Sequence, residues 1–294
     1  MSKITCFGEV LWDVFPNHQK IGGAPLNVAL RLHSFGHDVA MISGLGNDQL
    51  GTELLNYINE HGLETNTVQI TDVFKTGEVQ VSLNDKGSAS YSIDFPAAWD
   101  NILLTETSID VVKTSDAFVF GSLASRYEVS KNTLLELLNH ASYKIFDLNL
   151  RPPHYTQELI SDLMNKADFI KFNDDELYEA SAYLGSKYRS MEQNIHFISQ
   201  KTNTKHICVT KGNHGAVLLY DDKFYYNSGY FIKVVDTVGA GDSFLASLIS
   251  QLLNKAHPQE AINFACAVGA LVAQNEGANP ILSPADIELF MHPK

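Results

Sequence analysis

The segment Asp236-Thr237-Val238-Gly239-Ala240-Gly241-Asp242-Ser243-Phe244 joins small residues to a carboxylate where a helical pattern begins. After it, Phe244, Leu245, Leu248, Ile249, Leu252 and Leu253 fall on one helical face. Ahead of it, Phe231-Ile232-Lys233-Val234-Val235 reads as a strand. Gly239, Ala240 and Gly241 are thereby expected at a strand-to-helix turn, where free backbone N–H groups and the helix dipole attract anions. Small residues let an oxyanion approach the backbone closely. Asp242 would repel such an anion unless its task is to take a proton from an attacking hydroxyl. Taken alone, the segment reads as a capped helix after a tight turn.

Other segments carry the same kind of chemistry. Gly22-Gly23-Ala24-Pro25-Leu26-Asn27 is a second glycine turn opening a helix, with a polar Asn27 just inside. Asp147-Leu148-Asn149-Leu150-Arg151 ends a predicted strand, and strand alternation puts Asp147, Asn149 and Arg151 on one side. In such sheets ligands gather at strand ends. An Asp147–Arg151 pair closing the turn is an equal reading of the same residues. Asn173-Asp174-Asp175-Glu176 starts a helix, where acids suit the dipole. Thr210-Lys211-Gly212-Asn213-His214-Gly215 follows an apolar strand and reads as a hairpin turn.

The elements that must position these residues alternate. Strands are expected at residues 4–7, 38–42, 117–120, 144–147, 169–171, 207–210 and 216–220. Helices are expected at 26–35, around Leu50 to Ile58, and at 131–140, 157–166, 175–184 and 191–200. Strand–helix alternation implies an α/β fold with a mainly parallel sheet covered by helices. Glu78–Leu83 and Ser90–Ile93 instead alternate polar and apolar residues around the turn Asn84-Asp85-Lys86-Gly87. That predicts a hairpin with one covered face, inserted as a small β-lid of about residues 11–20 and 75–98. No repeat or linker appears, so residues 1–294 read as a single domain.

Composition limits the function. The chain has 294 residues, 45% hydrophobic and 19% charged, enough to bury a core. Its net charge of −13 argues against nucleic acid, which needs clustered Lys and Arg. No secretory signal and no apolar run of bilayer length is visible, so no membrane association and a cytoplasmic location are expected. The three cysteines, Cys6, Cys208 and Cys266, are far apart and suggest neither disulfides nor a zinc cage.

The two glycine turns, in this order and flanked as they are, resemble the signatures of the ribokinase-like (PfkB) sugar kinases, and the resemblance covers essentially the whole chain. It implies a three-layer α/β fold with a β-lid over a sugar. Gly8-Glu9-Val10-Leu11-Trp12-Asp13, the Gly22–Ala29 turn and Pro96-Ala97-Ala98-Trp99-Asp100 most resemble fructokinases. The implied reaction moves the γ-phosphate of ATP to the primary hydroxyl of a ketohexose, foremost D-fructose. Ribose or 2-keto-3-deoxygluconate as substrate, and a catalytically silent sugar sensor, are the alternatives. By this resemblance Asp13, Gly22, Gly23 and Asn27 bind sugar hydroxyls, Asp242 is the general base and Arg151 contacts the transferring phosphoryl group. Asn173 and Glu176 match the family's Asn-x-x-Glu motif and would organise Mg²⁺ through water, while Thr210, Lys211, Gly212, Gly215 and Gly241 would meet the nucleotide. Backbone groups of Asp236, Val238, Ala273, Gly277 and Ala278 would hold K⁺. Relatives of this kind are often homodimers, and the sequence leaves monomer and dimer open.

Overall fold

A computed structural model describes residues 1–83 and 89–293. The predicted turn at Asn84–Gly87 lies outside the described residues. The chain opens with β1 (Lys3–Phe7), β2 (Leu11–Val14), β3 (Gln19–Gly22), α1 (Ala24–Ser34), β4 (Asp38–Gly46), α2 (Gln49–Glu60) and β5 (Val68–Thr71). Next come β6 (Gly77–Leu83), β7 (Ala89–Ile93), α3 (Glu106–Lys113), β8 (Ala117–Gly121), α4 (Glu128–Leu138), β9 (Lys144–Asp147) and α5 (Gln157–Met164). The rest is β10 (Phe169–Asn173), α6 (Asp174–Tyr183), α7 (Met191–Thr202), β11 (His206–Thr210), β12 (Ala216–Tyr220), β13 (Lys223–Asn227), α8 (Ala240–Leu253), α9 (Pro258–Ala273) and α10 (Pro284–Met291).

Nine strands form one sheet in the order β13-β12-β11-β10-β9-β8-β1-β4-β5. Pairing is parallel from β11 to β5 and antiparallel at β11–β12 and β12–β13. Both faces of the inner parallel strands β1, β4 and β8 to β11 are buried, which explains why they read as near-continuous apolar runs. Ile4, Cys6, Met41 and Val119 point into one core with α1, α2, α8 and α9. Phe7, Phe118, Phe120 and Phe146 point into the other with α3 to α7. The result is a three-layer α/β architecture.

A separate four-stranded sheet, β3-β2-β6-β7, has its own small apolar group of Leu11, Val79 and Val81. β2 and β6 pair in parallel, Leu11 opposite Gly77, so both excursions from the main chain path share one sheet. Where the chain returns from β7, Arg126 pairs with the fully buried Asp100 through both Nε (2.7 Å) and Nη2 (2.8 Å). Its guanidinium lies over the rings of Trp99 (4.1 Å) and Phe95 (5.1 Å) and donates to the Asp94 carbonyl.

The structure corrects one predicted strand and adds elements. Phe231–Val235 is irregular, and Phe231, Val234 and Val235 are exposed. The sheet edge it would have joined is already occupied by β13, so the segment crosses to α8, with Val235 and Asp236 N–H donating to the Ala273 carbonyl. The turn before α8 is therefore loop-to-helix. Among elements the sequence reading did not assign are β5, β13, α3, α9 and α10.

Candidate active site

Helix α8 begins at Gly239, whose φ of 73° is the left-handed region open to glycine. A side chain there would also collide with Ala278, so the turn at 277–278 packs directly on this helix end. Ala240, Gly241 and Asp242 form the first turn. Across from it stands α1, which starts at Gly23 with φ 112° and brings Asn27 to the interface. Asn27 Nδ2 donates to Asp242 Oδ2 at 2.8 Å. The buried Arg31, one turn further along α1, donates from Nε to Ser243 Oγ (3.2 Å) and from Nη2 to the Pro280 carbonyl (2.9 Å). These bonds fix the register of the two helices and join residues far apart in sequence.

Carboxyl groups gather on the α1 side. Burial pushes Asp242 up to about 6, helped by the charge of Asp147 and opposed by the Asn27 hydrogen bond and the charges of Lys171 and Arg151. Asp13, on β2, is likewise pushed up to about 6 by burial, opposed by Arg151 and Lys20. Gly22 leaves room for the Asp13 carboxyl, which any side chain at 22 would strike. Glu9, just past β1, is 3% exposed and its Oε2 has no hydrogen-bond partner. Burial pushes it up to about 7, with Arg151 and Arg126 acting against and Asp242 with the shift. Arg151 is exposed and its guanidinium acts on Asp13, Glu9 and Asp242 alike. The fold thus assembles Asp13, Gly22, Gly23, Asn27, Arg151 and Asp242 at one end of the parallel sheet.

The expected alternation past β9 fails, because Asn149 has φ 41° and the strand stops at Asp147. Asp147 pairs not with Arg151 but with Lys171, its register partner on β10, at 2.8 Å. Arg151 instead donates to the Leu150 carbonyl. Burial alone would push the Lys171 ammonium down, but the charges of Asp147, Glu176 and Asp242 more than offset it and hold it above the usual lysine value. Its Nζ lies 3.8 Å from where a Cβ of Gly241 would sit, beside the N-terminus of α8. The sequence reading passed over Lys171, although a charge inside Phe169-Ile170-Lys171-Phe172, a run buried on both faces, is itself a signal. Asn173 and Glu176 form a reciprocal capping box at the start of α6. Glu176 accepts from Leu150 N–H (2.9 Å) and Asn173 N–H (2.8 Å), and burial raises its pKa.

On the far side of Gly241 opens a cavity of about 340 Å³. Asn173, Thr210, Gly212, Gly215, Ala240 and Gly241 reach its wall, with Ile232, Val234 and Phe244 supplying apolar surface. Among the predicted nucleotide residues, Glu176 and Lys211 are not on that wall. Thr210–Gly215 is indeed the turn between antiparallel β11 and β12, so turn and cavity wall are the same residues. Near the cavity's other end, Asp236 accepts from Val238 N–H (3.0 Å) and Gly277 N–H (3.1 Å), clipping the two loops together. Ala273 does not fit the predicted cation set: its carbonyl already accepts from Val235 and Asp236 N–H, which uses both lone pairs. Among the described residues no three His, Cys, Asp or Glu side chains converge as a metal site, and no helix is long and apolar enough to cross a membrane.

The profile of the pfkB family carbohydrate kinases matches residues 1–285, and the chain belongs to that family. It is therefore a carbohydrate kinase. Curated relatives include fructokinase-2 of Solanum lycopersicum, 26% identical over 98% of this chain and 95% of the relative. Another is a probable fructokinase-5 of Arabidopsis thaliana, 28% identical over 99% and 98%. Among solved structures, a fructokinase of Xylella fastidiosa with bound ATP shares the fold with a TM-score of 0.86, at 23% identity over 98% of both chains. A fructokinase double mutant of Vibrio cholerae O395 with fructose, ADP and a potassium ion has a TM-score of 0.85, at 23% identity over 99% of both chains.

Proposed function

We propose that this kinase transfers the γ-phosphate of ATP to the primary hydroxyl of D-fructose, giving fructose 6-phosphate. The observation that carries the reading is the position of Asp242. Its carboxylate stands in the first turn of α8, held by Asn27 on the side of Asp13, while the same turn borders the cavity on its other side. A base, a carboxylate with an amide for vicinal hydroxyls, and an anion-attracting helix end fall in line. The fructokinase relatives support fructose among sugars.

In this mechanism Asp13, Gly22, Gly23 and Asn27 orient the sugar beneath the sheet of β2, β3, β6 and β7, which acts as a lid. Asp242 takes the proton of the attacking hydroxyl. The N–H groups at Gly239–Gly241 bind the charge that develops on the phosphoryl oxygens, with Arg151 facing it from the other side. Thr210, Gly212 and Gly215 line the nucleotide cavity, Lys211 supplies charge at its rim, and Asn173 closes the end near the phosphates. This is catalysis by position and charge.

The residues fit two cations. Mg²⁺ would be held chiefly by phosphate oxygens and water. Glu176, whose oxygens already accept backbone N–H groups, would act on it through water. The loops that Asp236 clips together suit K⁺ on the backbone groups of Asp236, Val238, Gly277 and Ala278. Such a cation would supply fixed positive charge behind the helix end.

The test is ADP release with ATP and Mg²⁺ across fructose, ribose, 2-keto-3-deoxygluconate and glucose, with and without K⁺. Fructose should give the highest kcat/KM. A higher value for another sugar would overturn the substrate, and no sugar-dependent ADP from folded protein would overturn the reaction.

A further inference from the structure

The turn that packs on Gly239 also reaches Asp242 by a second route. Asn279 Nδ2 donates to Asn27 Oδ1 at 2.8 Å, and Asn27 Nδ2 donates to Asp242 Oδ2 at 2.8 Å. The two amides and the carboxylate form one directed chain. Its direction matters because an amide presents a donor on one side and an acceptor on the other. Were the Asn27 amide turned over, its oxygen would face the Asp242 oxygen. The N–H of Asn279 forbids that by engaging the Asn27 oxygen. Asn279 Oδ1 is itself buried without a partner, so its amide is oriented by this one bond and by its loop.

The loop is well anchored. Ala278 sits against Gly239, the Asp236 carboxylate accepts Gly277 N–H, and Arg31 donates to the Pro280 carbonyl while also holding Ser243. Each of these fastens residues 277–280 to the beginning of α8. Asn279 is the member of the loop whose side chain acts towards the base. With one bond to its oxygen and one from its nitrogen, Asn27 keeps a lone pair and an N–H with which to meet a sugar.

We propose that Asn279 is a positioning residue for phosphoryl transfer: by engaging the Asn27 side-chain oxygen it fixes that amide with its N–H toward Asp242, and so aims the base. The proposal rests on the reading of Asp242 as the base. Asn279 touches neither substrate in it, so its loss acts chiefly on kcat, reaches the sugar KM only through Asn27 and leaves the KM for ATP unchanged. Loss of the aimed N–H also removes the hydrogen bond that favours the Asp242 anion. The remaining charges around Asp242 are Asp147 on β9, Lys171 on β10, Arg151 past β9 and Glu9 past β1, and none of them changes. The acid limb of the kcat–pH profile should then move to higher pH.

The experiment is a double-mutant cycle with fructose and ATP. Asn279→Ala and the volume-keeping Asn279→Leu are made in the natural chain and in Asp242→Asn, with melting curves to verify folding. In the natural chain each should lower kcat by ~10-fold, the scale of a mildly misplaced catalytic group, with the KM for ATP nearly unchanged, any change in the fructose KM smaller than that in kcat, and the acid limb displaced upward. In Asp242→Asn neither should lower the residual rate further. An equal loss in both backgrounds, or an unchanged kcat and pH profile in the natural chain, overturns the positioning role alone. Near-natural turnover of Asp242→Asn by itself overturns the base assignment and the positioning role with it.

Discussion

Asp242, in the first turn of α8, and Lys171, beside it, differ in how plainly the sequence shows them. Asp242 stood out because a carboxylate in an anion-attracting turn demands a reason. Lys171 was hidden in an apolar strand, and its role depends on Asp147 and Gly241 lying beside it in space. Asn279 was less visible still, since nothing in Gly277-Ala278-Asn279 announces a contact with α1. The site was legible where residue type and spacing conflict with simple packing, and illegible where partners come from distant segments. Asp242→Asn should keep the fold and sugar binding yet lose ~10²–10⁴-fold in turnover, the range for a missing general base. For the natural enzyme, a carboxyl held at about 6 must be ionised to work. Turnover should accordingly fall as pH drops through about 6, read from kcat against pH at saturating substrates.

Secondary elements were legible where periodicity is strong. The inner parallel strands β1, β4 and β8 to β11, with helices α1, α2 and α4 to α7, lie close to their predicted spans, because buried strands and one-sided helices leave a strong pattern. Phe231–Val235 shows the limit: β-branched and aromatic residues make strands only where a neighbouring edge is free. β13, the true edge strand, is polar and aromatic and gives a weaker signal. The connection from the four-stranded sheet to the main body depends on Arg126, gripped by Asp100 and flanked by Trp99 and Phe95. Arg126→Met would keep the packing of the stem but strand the Asp100 charge where no water reaches it. An uncompensated buried charge costs about 3–5 kcal/mol, so the urea midpoint of this variant should drop sharply. A midpoint within error of the natural chain would refute the buried-pair account.

At the scale of the molecule, whose net charge is −13, Glu9, Asp13 and Asp242 meet at one end of the sheet. All three carboxyls are held above their ordinary values. Between the ordinary carboxylate range and about 7 the folded chain binds more protons than the unfolded one, so these groups make stability fall as pH rises through that window. Below it the contribution is absent, and above about 7 it is complete. Glu9→Gln removes the one of the three that titrates highest. The loss of melting temperature between pH 5 and pH 8 should be visibly smaller in that variant than in the natural chain, and an identical loss would show that Glu9 is not the cause.

The first turn of α8 has the sugar-side carboxyls on one flank and the cavity on the other, with Gly241 between. Cys266 in the cavity wall is pushed up to about 12 by burial and is no nucleophile. On the proposed function Asp242 takes the proton of the attacking hydroxyl, so the phosphoryl group crosses this glycine once, from donor oxygen to acceptor oxygen. A single in-line passage turns the phosphorus inside out, so a chiral γ-phosphate would emerge on the sugar with its configuration inverted.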